Sequence, residues 1–154
     1  MKPYKETDPE FIERFEHFAL DEVVNEPGQQ LDAIPRHMAI LAVLLGCQGE
    51  AAFRLELPCA LDAGLTPVMA KEIVYQAVDY LGVGRVLPFL DAVNAVLAER
   101  GVPLPLPGQA VTTLENRLEK GVEAQAAIFG ESMKEAYKQS HINRWLAANC
   151  FGDY

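Results

Sequence analysis

The chain reads as all-α, a bundle of about six to seven helices. Three observations carry this reading. Apolar residues recur at spacings of three and four along most of the 154 residues, the period of a helix with one covered face. Glycine and proline cut the sequence into segments of helical length. No stretch sustains a two-residue alternation between turn signals, so no sheet is expected.

The first segment, residues 8 to 23, carries Phe11, Phe15, Phe18, Ala19 and Val23 on one face. Asp8 stands as its cap and Pro9 at its first helical position. Pro27-Gly28 breaks it. A second helix starts at Asp32 or Ala33 and is apolar all round from Met38 to Leu45, which predicts a central place in the core. Gly46 and Gly49 end it. Residues 50 to 62 form a third helix with Pro58 inside, where a kink or break is expected because an interior proline costs about 3 kcal/mol. Gly64 closes that helix. Thr66-Pro67 opens a fourth, to about Leu81, with Met69, Ile73, Ala77 and Leu81 on its inner face. After a turn at Gly82 and Gly84, residues 85 to 100 carry the heptad-like seam Val86, Leu90, Val93 and Leu97. Three prolines between Val102 and Gln109 read as a linker. Beyond it, 113 to 139 reads as a charged amphipathic helix. A shorter helix, His141 to Cys150, is anchored by Trp145 and Leu146.

Half of the residues are hydrophobic and 23% charged, an ordinary soluble composition, and the formal net charge is -9. That balance argues against nucleic acid or an anionic membrane as partner, since both call for a basic patch. The longest apolar run, Met38 to Cys47, is half of the roughly 20 residues a membrane span needs. The N-terminal residues have no signal-peptide core, so a cytoplasmic protein is expected. Cys47, Cys59 and Cys150 form neither a CxxC nor an even set, so reduced thiols are expected. No His or Cys pair has ligand spacing, and no nucleotide-binding or serine-hydrolase motif occurs. Neither metal nor cofactor is called for.

Residues 36 to 101 carry an ordered set of landmarks. Arg36 opens the long apolar helix. Ala60-Leu61, Gly64-Leu65-Thr66 and Glu72-Ile73 follow, then Tyr80 and Gly82 ahead of an amphipathic helix to Leu97. In this order they resemble the helical module of the carboxymuconolactone decarboxylase family, whose redox branch is the alkylhydroperoxidase D-like proteins. The resemblance implies a bundle of that type, with the chemistry on this module.

The redox branch uses C-x-x-C-x-x-x-H at the start of the third helix. Counting back from Ala60 by the family's spacing puts its histidine position at Glu56 and its two cysteine positions at Gly49 and Ala52. Dithiol peroxidase chemistry needs a low-pKa thiol and a partner thiol in reach, so it is not expected here. The decarboxylase branch lacks the cysteines and removes a carboxyl group from a carboxylated muconolactone in aromatic-acid breakdown. That chemistry needs a cation for the substrate carboxylate and a group that moves a proton to or from carbon. Arg36 takes the family's arginine position and suits a carboxylate. The redox branch's relay glutamate lies nineteen residues before its histidine. The same count from Glu56 reaches His37, so the couple stands with its members exchanged. The alternative is a helix-end histidine and a surface carboxylate. Glu72, Gln76 and Tyr80 form a polar stripe at intervals of four on the helix that lines the family's site. Glu72 is read as an acid/base and Tyr80 and Gln76 as substrate contacts; the alternative is a solvated face with the Tyr80 ring packed.

The resulting organisation is a module over residues 1–101, a Pro-rich linker over 102–112, and a helical tail over 113–154. Asn116-Arg117, Gly121-Val122 and Ile128-Phe129-Gly130-Glu131 in that tail, with Trp145 and Phe151-Gly152, look like the preface of a second family module. This suggests the N-terminal part of a longer two-module polypeptide, or a single-module protein whose tail packs on a neighbouring subunit. The expected function is a carboxy-lyase or related acid/base reaction on a small carboxylated or lactone-type metabolite. The alternative is a non-catalytic oligomerisation module, or half of an enzyme whose active module is elsewhere. The resemblance implies self-association as a homotrimer or homohexamer, and the seam Val86, Leu90, Val93 and Leu97 is the contact expected to carry it.

Overall fold

The computed structural model describes residues 4–153. All the regular structure among them is helical, with no strand. The chain divides into two compact units, residues 1–104 and 105–154. The division falls within the proline-rich segment, which forms no helix.

The first unit begins with α1 (Pro9–His17), which continues through a π-turn (Phe18–Glu22) into α2 (Val23–Asn25). Pro9 takes an opening position, as expected, but the Asp8 side chain makes no capping bond. Ile12 is the buried residue of this arm. The expected inner face, Phe11, Phe15, Phe18 and Val23, is instead exposed. The arm packs most extensively on its own continuation rather than on the later helices.

Four helices make the body of the unit: α3 (Ala33–Gly46), α4 (Glu50–Asp62), α5 (Pro67–Gln76) and α7 (Val83–Glu99). The short α6 (Val78–Leu81) lies between the last two. α3 packs on α4 and α5, and α7 packs on α4, α5 and α6. Phe53 of α4 meets Phe89 of α7 edge to face at 5.1 Å, an arrangement that adds to their burial energy. Around them close Leu41, Leu45, Leu57, Val74, Val93 and Leu97, all fully buried.

Local signals set the helix ends. The Thr66 hydroxyl accepts from the Met69 N–H at 3.1 Å and Pro67 opens α5, a cap worth about 1 kcal/mol. Gly64 takes φ +104°. Its N–H donates to Leu61 and the Leu65 N–H to Ala60, the paired bonds of a Schellman ending. α3 ends by the same bond pattern, with Gln48 and not a glycine in the left-handed position at φ 61°. α4 runs unbroken through Pro58. Arg100 anchors that point, donating to the Pro58 carbonyl at 2.9 Å and to Asp62 at 2.8 Å.

Burial departs from the sequence expectation in three further places. Only Leu41 and Leu45 of α3 are buried, and Val43 is exposed, because α3 is covered along one stripe and not all round. Ala70 and Val74 are the buried face of α5, while Met69 is exposed. The seam Val86, Val93 and Leu97 lies in the core, with Leu90 half-buried, because α4 and α5 close over it. It is therefore not an available subunit contact. Gly84, expected in the turn, is inside α7.

The second unit holds α8 (Arg117–Phe129), α9 (Met133–Ala136) and α10 (His141–Trp145), which continues into a second π-turn (Leu146–Cys150). The single helix expected over 113 to 139 is divided at Gly130, which takes φ +99°, a conformation that ends an α-helix. Ala147 and Ala148 pack on α8, and Trp145 and Leu146, the expected anchors, are exposed. Small residues hold this contact because the backbones approach closely. A β-carbon on Gly121 would lie 1.7 Å from the Ala147 carbonyl oxygen.

Candidate functional site

The packed stripe of α3 runs through Leu41 and Leu45, and that of α4 through Phe53, Leu57 and Ala60. His37 lies one helical turn before Leu41, and Glu56 three residues after Phe53. Both therefore extend the interface between the two helices. They meet there: His37 Nδ1 and Glu56 Oε1 are 2.6 Å apart, with side-chain exposures of 12% and 21%. A partly desolvated imidazole–carboxylate bond of this length is charge-assisted and well defined. With Glu56 ionised, Nδ1 carries the proton and donates it to Oε1, leaving Nε2 as the basic nitrogen.

Arg36 adjoins His37 in sequence. Its Nε is the one fully buried side-chain nitrogen or oxygen among the described residues that lacks a hydrogen-bond partner. A buried donor left in that state costs about 1–3 kcal/mol, and an acceptor is what would satisfy it.

The remaining sequence candidates are on α5 and α6. Glu72 is half-buried on α5. α5 ends at Gln76 and the chain turns at Ala77, so the stripe Glu72, Gln76, Tyr80 does not run along one helix. Gln76 and Tyr80 line an open, mainly apolar groove of about 260 Å³ with Leu45, Ile73, Ala77 and Leu81. Tyr80 is 86% exposed. Arg36, His37, Glu56 and Glu72 are not among the groove's walls.

One polar cluster escaped the sequence reading. The Lys71 ammonium donates to Asn94 Oδ1 at 2.5 Å and stands 6.0 Å from the centre of the Tyr75 ring. The available signal was Asn94, a lone amide amid the buried Ala92, Val93 and Val96 of α7. Cys47 and Cys59 are exposed thiols. No group of three or more His, Cys, Asp or Glu side chains among the described residues is placed to hold a metal ion. No described helix is long and apolar enough to cross a membrane.

Compared with known proteins, the chain has no significant match to a family model, a curated protein or a solved structure.

Proposed function

We propose that this chain is a carboxymuconolactone decarboxylase-like module that performs acid/base chemistry on a small carboxylated or lactone-type metabolite. The observation that carries the reading is the 2.6 Å bond between His37 Nδ1 and Glu56 Oε1, formed across nineteen residues of sequence. Counted from Ala60 by the spacing of the family that the chain resembles, these are the positions of the redox branch's glutamate and histidine.

In this reading His37 Nε2 is the catalytic group, taking a proton from the substrate or returning one to its carbon. Glu56 is the positioning residue. It holds the imidazole in one tautomer and stabilises the imidazolium formed during transfer. Arg36 offers its unpartnered Nε–H to the substrate carboxylate, a charge-assisted bond of the strong class. Thiol chemistry has no part in it, since Gly49 and Ala52 stand where the redox branch has cysteines.

The test is turnover of a carboxylated muconolactone and a small panel of related carboxylated lactones, followed by carbon dioxide release and loss of lactone absorbance. General acid/base groups contribute about 10²–10⁴-fold, so His37→Ala should lower kcat by that factor in an otherwise folded protein. Glu56→Gln should lower kcat with little change in KM, since it removes the group that orients the imidazole and not a substrate contact. Turnover unchanged in His37→Ala, or no turnover anywhere in the panel, would remove the proposal.

A further inference from the structure

In the second unit, α8 and α10 with its π-turn border a cleft of about 260 Å³. Its lining includes Arg117, Arg144 and Trp145, with Leu118 and Glu115 beside them. The backbone around it is fixed. The Ser140 hydroxyl accepts from the Asn143 N–H at 3.1 Å and starts α10. Asn149 ties the two sides together: its amide nitrogen donates to the Trp145 carbonyl at 3.0 Å, and its oxygen accepts from Arg117 Nη1 at 3.1 Å. The same Nη1 donates to Asp153 Oδ2 at 2.5 Å. One nitrogen therefore makes both of these contacts, and Nε and Nη2 of Arg117 keep no acceptor among the described residues. Arg144 has no carboxylate at ion-pair distance among them either. Trp145, the chain's one tryptophan, is 61% exposed.

We infer that this cleft binds a small planar aromatic anion, a single ring bearing a carboxylate or a phosphate. The ring packs on the Trp145 indole, which in the free chain forgoes the burial that a second ring restores. The anionic group accepts from Arg144 and from the unpartnered edge of Arg117, whose guanidinium is already held in place. Tryptophan and arginine are the residue types in which binding energy concentrates. The volume lies just under the range for drug-sized molecules, which limits the ligand to one ring. Glu115 is the opposing charge. A side-chain hydrogen bond with Thr113 holds its carboxyl below the usual range, so it is ionised at neutral pH and repels an anion. Its neutral variant therefore reports the sign of the ligand's charge. The cleft is independent of the chemistry proposed for His37.

The fluorescence of Trp145 is the chain's entire tryptophan signal, so it reads binding directly. Titration of the full chain with benzoate and with phenyl phosphate should give a saturable change. The better of the two should have a dissociation constant on the order of 0.1–1 mM, as expected for about ten heavy atoms, and its identity names the anionic group. Benzamide, the neutral counterpart of benzoate, should bind more weakly by about fivefold or more. Arg144→Gln should weaken the better ligand by a similar factor, whereas Glu115→Gln should leave it as tight or tighter. Both side chains are exposed, so circular dichroism should be unchanged in either variant. A signal that rises linearly without saturating, equal binding of benzamide, an Arg144→Gln variant that binds as the parent does, or a preference for benzylamine would each overturn the inference.

Discussion

At the scale of single residues, the informative contrast is between His37 and Arg36. His37 has its partner within the fold. Arg36 keeps a buried Nε without one, a cost to the folded chain. Arg36→Met preserves the length and most of the apolar stem while deleting that nitrogen. The ligand-free variant is therefore expected to be as stable as the parent or more stable by about 1 kcal/mol, read from urea unfolding midpoints. Turnover or binding of a carboxylated lactone should fall at the same time. A loss of stability greater than about 1 kcal/mol would mean that the guanidinium holds the fold and is not reserved for a ligand.

At the scale of elements, helix ends and helix contacts follow different rules. Thr66, Pro67 and Gly64 act within one turn of themselves, so their roles could be read directly from residue type. The contact of α8 with the second π-turn depends on the absence of a side chain. A β-carbon on Gly152 would lie 2.2 Å from the Arg117 carbonyl oxygen, as one on Gly121 would from Ala147 at 1.7 Å. Backbone cannot yield as a flexible side chain does. Gly121→Ala and Gly152→Ala should each destabilise the second unit by about 1–3 kcal/mol or more. Gly84→Ala is the control. It lies in the first turn of α7 with open space around its β-carbon position, and should be neutral or stabilise by up to about 0.5 kcal/mol. Thermal unfolding followed by circular dichroism separates the three; a neutral Gly121→Ala would contradict the close backbone approach.

At the scale of the whole molecule, the chain is two compact units with a proline-rich segment between them. The backbone from residue 103 to 113 forms no regular structure, and Val111 is 91% exposed. Solvated backbone without helical hydrogen bonds is where proteases cut first. Thermolysin, which cleaves before large apolar residues, should cut first at Ala110–Val111 under native conditions and yield two fragments resolved by mass. A first cut within α3, α4 or α7 would show the body of the first unit to be less stable than this segment.

The helical character of each segment was legible because it is local. The three-and-four spacing, the Thr66-Pro67 opening and the Gly64 ending each concern bonds made within one or two turns. The pairing of His37 with Glu56 was expected only from the nineteen-residue spacing that the family resemblance implies; the structure brings the two together because both positions extend the stripes by which α3 and α4 bury Leu41 and Phe53. What covers each apolar face was not legible. Phe11, Phe15 and Phe18 repeat as convincingly as Val86, Val93 and Leu97, yet the first set is exposed and the second is core. The register of residues 18 to 23 also escaped, because a π-turn differs from an α-turn by one residue and leaves no mark in composition. Periodicity announces that a helix has an apolar side. Whether that side meets the chain's own body, a groove or water depends on surfaces contributed from tens of residues away, and these exist only once the helices have packed.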